Sequence, residues 1–581
     1  MTFKRAVQLI TLLFFVYLLI KAGYPLGSAL PVDLFLLIDP LLAIISTLSL
    51  KVVIPGAFVS LVLIGATLFF GRFFCAYVCP LGALIDCSDT IFLKKQKRQL
   101  NPEKAPPITK SAIRHPRSGI HNPQSEMECS GWGTLSSEKN LRSVKFIILI
   151  ALFGAASIGV IFTQFLDPLV ILTRTSTIIF YPIISIFLNG ILDLSRPIAE
   201  QLGWLGVSHL TYPLPLYRMI WLTLFLFLGV FAFGLLSSRF WCRYICPLGG
   251  LLALLSRWNF FKRRVNSSCT DCGICRGVCP MGAIPQDPRQ TMTSECIMCR
   301  NCSIKCPTEA ISYRTTSERS KPSEIKIELS RRRFLSSFAT GLGAGLLFHA
   351  DAQTKLVQPT LVRPPGAIPE KEYLSRCVRC GECLKVCMTN TLQPSFLEAG
   401  IEGLWTPRLE LRLAPCEQRC NLCGRVCPTQ AIRSLHPEER RHAKIGTAIL
   451  RRERCLVWEQ DKLCLICDEI CPYDAIEFRW VDGLKRPFVT ENRCNGCGQC
   501  EYKCPILGEA AIIVVPMAEM RLSKGSYVEA ARNLKYEFQE MRKEEVSEQE
   551  KLLFRQEDPS GVGKDSQPSK ESEPLPPGFN K

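Results

Sequence analysis

Histidine is scarce in this chain: 581 residues contain six, at His115, His121, His209, His349, His436 and His442. None is preceded by C-x-x-C, so covalent c-type haem is excluded. None lies well inside a long apolar segment, which argues against a bis-His haem in a membrane, and no haem is expected. A Walker loop, a dinucleotide fingerprint and a Ser/His/Asp signature are also missing. Gly341-x-Gly343-x-Gly345 lies in an apolar stretch and follows no strand, so it is not read as a nucleotide site. A sensor reading lacks any recognisable output motif, and nucleic acid is not expected among the partners.

What is abundant is cysteine, with 30 residues. They fall in tight repeated clusters, unlike those of an ordinary cytosolic enzyme or a small secreted disulfide scaffold. Lys and Arg outnumber Asp and Glu by 70 to 52, a formal net charge of +18. Hydrophobic content is an ordinary 47%, but it is segregated: the first 250 residues are mostly apolar and the rest mostly polar.

Four stretches approach the length a membrane span needs: Ala6 to Ile20, Val52 to Phe70, Val144 to Thr163 and Leu216 to Leu236. The first lacks a small-residue cleavage site and reads as an anchor. Val32 to Leu50 and Ile178 to Leu194 are interrupted by Pro, Asp or Asn and read as broken or re-entrant. Ten basic residues lie between Ala83 and Arg142, against only Arg174 and Arg196 between Gln164 and Pro215. The positive-inside rule then puts the basic loop, Lys4, Arg5 and the Lys262-Arg263-Arg264 run in the cytoplasm.

The apolar region repeats itself. Arg72-Phe73-Phe74-Cys75-Ala76-Tyr77-Val78-Cys79-Pro80-Leu81-Gly82 recurs as Arg239-Phe240-Trp241-Cys242-Arg243-Tyr244-Ile245-Cys246-Pro247-Leu248-Gly249, with eight of eleven positions identical. Asp39-Pro40-Leu41 and Asp167-Pro168-Leu169 precede the two copies. Two similar halves are expected, with function at their interface. The C-x3-C spacing predicts both thiols of a pair on one helix face at the inner ends of the second and fourth spans. Cys75, Cys79, Cys242 and Cys246 are thus candidate relay thiols or an additional metal centre, with buried structural Cys as the bland alternative. Asp39 and Asp167, expected near the outer boundary, are candidate proton acceptors or simple helix caps. Cys87 and Cys129 have no partner pattern.

Six further runs carry metal-ligand spacing. Cys269, Cys272, Cys275, Cys279 and Cys296, Cys299, Cys302, Cys306 both read C-x2-C-x2-C-x3-C-P, the bacterial two-cluster ferredoxin pattern. In that pattern the fourth Cys serves the other cluster, so Cys306 joins the first set and Cys279 the second. Cys377, Cys380, Cys383, Cys387 keep the spacing with Met388 in place of Pro. Cys416, Cys420, Cys423, Cys427 widen the first gap by one residue, and Cys455, Cys464, Cys467, Cys471 widen it to eight. Cys494, Cys497, Cys500, Cys504 are regular. Six runs of four predict six [4Fe–4S] clusters, since zinc ribbons show paired C-x2-C motifs instead. Exchange between neighbouring runs and a nested pairing both remain open for the last four.

Ser330-Arg331-Arg332-Arg333-Phe334-Leu335 matches a twin-arginine export signal, followed by an apolar stretch. Clusters are inserted in the cytoplasm, so a domain holding them must cross already folded. Ala350-Asp351-Ala352 resembles a cleavage site; uncleaved, the segment becomes a fifth span.

Lys4 to about Arg314 resembles the NapH/MauN-type membrane subunit, and Ser330 to about Pro516 resembles the NapG/MauM-type periplasmic ferredoxin, here fused. The resemblance implies a quinol dehydrogenase drawing on the quinone pool. It would deliver electrons to a periplasmic reductase of the nitrate-reductase type, through a c-type cytochrome. The alternative is an accessory redox or maturation factor for a periplasmic metalloenzyme. The expected architecture is an α-helical membrane domain of four spans in two similar halves (1–258) and an α+β two-cluster ferredoxin-like domain in the cytoplasm (265–314). A linker with the twin-arginine signal (315–352) leads to a larger four-cluster ferredoxin-like periplasmic domain (373–516), then a helix over Met517 to Met541 and a disordered tail (517–581). The expected location is a bacterial inner membrane, with the twin-arginine translocase as a partner.

Overall fold

The computed structural model describes residues 3–22, 31–52, 54–100, 135–201, 203–204, 210–315, 330–355 and 361–538. Cys129, the middle of the basic loop and the tail lie outside them. Among the described residues two helices are long and apolar enough to cross a membrane, Phe3–Lys21 and Pro168–Gln201. Shorter apolar helices cover Pro40–Leu50, Gly56–Phe70 and Ile220–Leu235. The third expected span falls on Leu135–Ser157.

The second long helix corrects an expectation. Ile178 to Leu194 is not interrupted; it continues the helix that begins at Pro168. Pro182 would crowd the carbonyl of Ile178, and the wider turn Ser176–Phe180 absorbs this. Asn189 does not break the helix because its amide reaches sideways, exchanging two 2.8 Å hydrogen bonds with the backbone of Tyr212.

Proline sets where the helices of the repeat begin. Asp39 and Asp167 cap the helices Pro40–Leu50 and Pro168–Thr175, each with Pro at the first position. Cys246 caps Pro247–Leu255 in the same way, and Cys79 stands immediately before Pro80–Leu100. The residue before Pro avoids helical backbone, so the C-x3-C pair does not share one continuous helix. Cys75 lies in the short turn Phe73–Tyr77 and Cys242 in Trp241–Ile245, whereas Cys246 already has extended backbone.

The first ferredoxin unit closes with the strand Phe261–Val265 antiparallel to Ile311–Thr315, pairing Phe261 with Thr315 and Val265 with Ile311. It docks on the apolar unit through Glu295, whose carboxylate lies 2.6 Å from Lys145 Nζ and 3.2 Å from Arg72 Nη1. Tyr77 Oη donates to the Met298 carbonyl at 3.1 Å. The second ferredoxin unit contains the strand pairs Leu392–Pro394 with Pro407–Leu409, Thr447–Leu450 with Ile512–Val515, and the hairpin Ile476–Val481 with Leu484–Val489. It docks elsewhere: Arg379 donates to the Ile161 carbonyl at 3.3 Å, Ser49 to that of Ser375 at 3.1 Å, and Tyr217 to that of Leu384 at 3.1 Å. Lys145 and Ser157 are twelve residues apart on one helix, about 18 Å, so the two ferredoxin units hold well-separated ends of the apolar unit. The expected helix over Met517 to Met541 shortens to Tyr527–Asn533, started by the Ser526 hydroxyl, which accepts from the Val528 N–H.

The twin-arginine segment forms the helix Arg331–Lys355, which packs along Leu135–Ser157. Gly341 and Gly345 form a small-xxx-small face: a Cβ at Gly341 would strike the Ala151 carbonyl, and one at Gly345 would meet Ile158 at 2.6 Å. Gly154 answers them, with the Phe338 carbonyl 2.5 Å from its would-be Cβ. Gly341→Leu should therefore push the helices apart and lower stability by about 1–3 kcal/mol. The unfolding temperature in detergent checks this; an unchanged value would mean that the contact contributes nothing.

Candidate metal centres

The third Cys of every ferredoxin-type run sits in a one-turn helix: Ile274–Gly277, Asn301–Ile304, Glu382–Val386, Leu422–Arg425, Ile466–Glu469 and Gln499–Lys503. In the four regular runs both neighbours of the second Cys have left-handed backbone: Asp271 and Gly273, Met298 and Arg300, Arg379 and Gly381, Gly496 and Gly498. Two-residue gaps can turn three thiols toward one point only with such a reversal. Asp271, Met298, Arg300 and Arg379 adopt it without being Gly, at a cost of about 1 kcal/mol each. The widened runs around Cys420 and Cys464 have slack and do not use it.

The thiols gather across neighbouring runs. Cys377, Cys380 and Cys383 line a cavity with Cys427. Cys387 acts electrostatically on Cys416, Cys420 and Cys423. Cys455, Cys464 and Cys467 line a cavity with Cys504, and Cys494, Cys497 and Cys500 another with Cys471. In the first unit Cys296 is surrounded by Cys299, Cys279 and Cys302, while Cys275 faces Cys302 and Cys272, with Cys306 packed on the same core. Among the described residues no three His, Cys, Asp or Glu side chains are near enough to share one metal ion. Zinc–sulfur bonds of about 2.3 Å would require that closeness, whereas a cubane holds its thiolates farther apart.

Burial pushes Cys296, Cys467 and Cys497 up to about 12 and Cys420 up to about 11. Such thiols are neutral at physiological pH until a metal takes the proton's place. Buried cations stand ready for the resulting negative charge. Arg440 is fully buried, donates to Cys416 Sγ at 3.3 Å, and leaves Nε and Nη1 without a protein partner. Arg174 has no hydrogen-bond partner for its guanidinium, which stacks 3.9 Å from the Trp405 ring beside Cys380. An unpaired buried guanidinium is costly unless an anion neighbours it, so these residues fit a negatively charged cluster.

In the apolar unit Cys75, Cys79, Cys242 and Cys246 pack in one core, and Arg239 of the second half donates to the Cys75 carbonyl of the first at 2.8 Å, so the two halves bring their pairs together. Asp39 and Asp167 are enclosed by protein. Both are 0% exposed and their side chains adjoin, with Asp167 also acting on Cys246. Their helices start in the core and run toward the second ferredoxin unit, carrying Ser49 and Arg174 to it. One oxygen of each carboxyl caps its helix, accepting from Leu41 N–H at 2.8 Å and Leu169 N–H at 2.9 Å; the other has no protein partner. Cys87 is exposed and stands apart. The sequence reading missed Glu295, Lys145 and Arg174, because a single charge in an apolar or loop stretch announces no partner.

The thiol sets form a series. Cys299 and Cys75 belong to one packed cluster with Ala76 and Met281. Cys380 packs into the same core as Leu169, Val170 and Cys246. Asp167, beside Cys246, and Arg174, beside Cys380, are seven residues apart, about 10 Å along the helix.

A family model described as a 4Fe-4S binding domain matches residues 52–99 and 219–267, and 4Fe-4S dicluster domain models match 257–311 and 462–506. The methylamine utilization ferredoxin-type protein MauM of Methylorubrum extorquens is 36% identical over 201 residues, 32% of this chain and 89% of that protein. MauM of Paracoccus denitrificans is 37% identical over 32% of this chain and 88% of its own length. The ferredoxin-type protein NapG of Escherichia coli is 35% identical over 34% and 90%. No solved structure matches. Several 4Fe–4S domains are thus present, and the chain is an iron–sulfur protein.

Proposed function

From the chain's membership, over part of its length, in the family of the ferredoxin-type proteins MauM and NapG, we propose an electron-transfer membrane protein that oxidises quinol and passes electrons to a periplasmic oxidoreductase. Six [4Fe–4S] clusters carry the electrons, held by the exchanged sets described above. The observation that carries this reading is the series itself: thiol sets run from the first ferredoxin unit past Cys75 and Cys246 to Cys380 and onward. In this reading the first ferredoxin unit is cytoplasmic, and the second is exported folded by the twin-arginine translocase and stays tethered by Arg331–Lys355.

A quinol gives up two electrons and two protons, so its site needs an apolar pocket with acceptors beside a cluster. Phe15, Leu18, Phe35 and Leu36 line a small cavity of this composition with Asp33, Thr173 and Glu382, which must widen to admit a quinol ring. Glu382 is 5% exposed, leaves Oε2 without a protein partner and precedes Cys383. Asp39 and Asp167 offer deeper proton positions on their uncapped oxygens.

The test supplies a quinol analogue and a soluble electron acceptor to the purified full chain. Sustained turnover is expected, and Glu382→Gln should slow it without changing iron content. Reduction that stops after one filling of the clusters would favour the accessory or maturation role instead.

A further inference from the structure

We propose that Cys75, Cys79, Cys242 and Cys246 together ligate a seventh centre, one iron–sulfur cluster shared between the two halves of the apolar unit. The centre deepens the reading above, since it supplies the link between the Cys299 and Cys380 sets, and its iron is counted separately from quinol turnover. Each half brings one Cys pair, and residues 52–99 and 219–267 each match a 4Fe-4S binding domain while holding only half of a four-thiol site. Neither segment completes a cluster alone. The halves interlock here: Arg239 donates to the Cys75 carbonyl at 2.8 Å, Arg72 Nη2 reaches Gly249 beside Cys246, and all four Cys pack in one core, so a shared site satisfies both. Cys79, Cys242 and Cys246 are at most 9% exposed, and all four are free of disulfides.

The surroundings are built for an anion. Four thiolates outweigh the positive charge of an iron–sulfur core, so the assembled centre is negative. Arg72 and Arg239, equivalent in the repeat, are both 0% exposed beside the thiols. Asp86 serves Arg239 and Lys4, and Glu295 serves Arg72 and Lys145, so two carboxylates answer four cations. Arg72 leaves Nε and Nη2 unpartnered. Its Nη2 is directed at Gly249, 3.0 Å from where a Cβ would stand, with Cys246 Sγ at 3.5 Å from the same point. A buried guanidinium in an apolar core with spare donors is expensive without an anion to face.

The backbone adds to this. The helices Pro40–Leu50, Pro80–Leu100, Pro168–Thr175 and Pro247–Leu255 all begin in this core, each with Pro at its first position, and helix N-termini favour negative charge. Gly82 and Gly249 donate backbone N–H groups to Cys79 Sγ at 3.4 Å and Cys246 Sγ at 3.2 Å. A Cβ at Gly82 would lie 3.0 Å from the Cys75 carbonyl, so the C-x3-C-P-L-G pattern needs its Gly.

The centre joins the Cys299 and Cys380 sets. In each transfer one neighbour is oxidised by one electron and the centre is reduced by one; the next transfer reverses this on the other side. No bond is made or broken and no proton is required.

The test counts iron and acid-labile sulfide in the full-length protein, purified without oxygen, and records spectra through a redox titration. Cys75→Ser/Cys242→Ser should lose about two or four irons with matching sulfide and one spectroscopic species, while Cys87→Ser loses none. Unchanged iron, or zinc in the wild-type site, overturns the proposal. If the double variant fails to fold, Arg72→Gln decides: it keeps every ligand, so the iron count should hold while one centre alone moves to a more negative potential. A titration in which no centre moves, or all move together, overturns it.

Discussion

Glu295→Ala is expected to release the first ferredoxin unit from the apolar unit, at a cost of about 3–5 kcal/mol. Glu295 is 4% exposed, with its two oxygens 2.6 and 2.7 Å from Lys145 Nζ and one of them 3.2 Å from Arg72 Nη1. Both cations are fully buried, so deleting the carboxylate leaves two charges without compensation. Burial is the largest influence on Glu295 and opposes its charge, yet Lys145 and Arg72 together hold it below its ordinary value of 4.5. Its contribution is therefore present above that value and is lost as pH falls through the lower, folded one, so acid should mimic the substitution. Glu295→Gln, which keeps the shape and one acceptor, should cost less. Protease accessibility of the loop around Gln290 and the denaturant midpoint read the outcome; a wild-type pattern in Glu295→Ala would show that docking rests on other contacts.

Cys427→Ala should remove the cluster of a run other than its own. The side chain lines the cavity of Cys377, Cys380 and Cys383, while Cys416, Cys420 and Cys423 look to Cys387. The variant is expected to lose one cluster and keep the rest, and the lost one is the set that abuts Arg174 and the Pro168 helix. Electron delivery from the apolar unit to the outer sets should be nearly abolished, although the fourth to sixth sets stay reducible by a small soluble reductant. Loss of the Cys416 set instead would refute the exchange between neighbouring runs.

The sequence made some of this visible and hid the rest, for physical reasons. Cysteine spacing is local, so the six runs and the two-cluster unit could be read directly, whereas the one-turn helices and the closing strand Phe261–Val265 came from the structure. The internal repeat marked the halves that bring Cys75 and Cys242 together. Burial was not legible: hydropathy did not show that Asp39 and Asp167 are enclosed at 0% exposure, each with one oxygen capping its helix. The two-thiol helix face failed because Pro80 and Pro247 restart the helix inside the motif. Ile178 to Leu194 looked broken because Pro and Asn are counted as interruptions, whereas a wide turn and a sideways amide accommodate both. The partnership of Arg72 with Glu295 spans too much chain for any local pattern to reveal.

That long reach imposes an order on biosynthesis. The guanidinium at position 72 enters the apolar unit early, and the carboxylate that answers it is made 223 residues later. In the other half the equivalent need is met at once, since Arg239 finds Asp86 already present. The ribosome must therefore deliver Glu295 before the core can close, and Arg331 to Arg333 follow it in the chain. By the time Arg331 to Arg333 emerge, the residues that join the first ferredoxin unit to the apolar unit have been synthesised, so the chain's linear order is also an order of assembly.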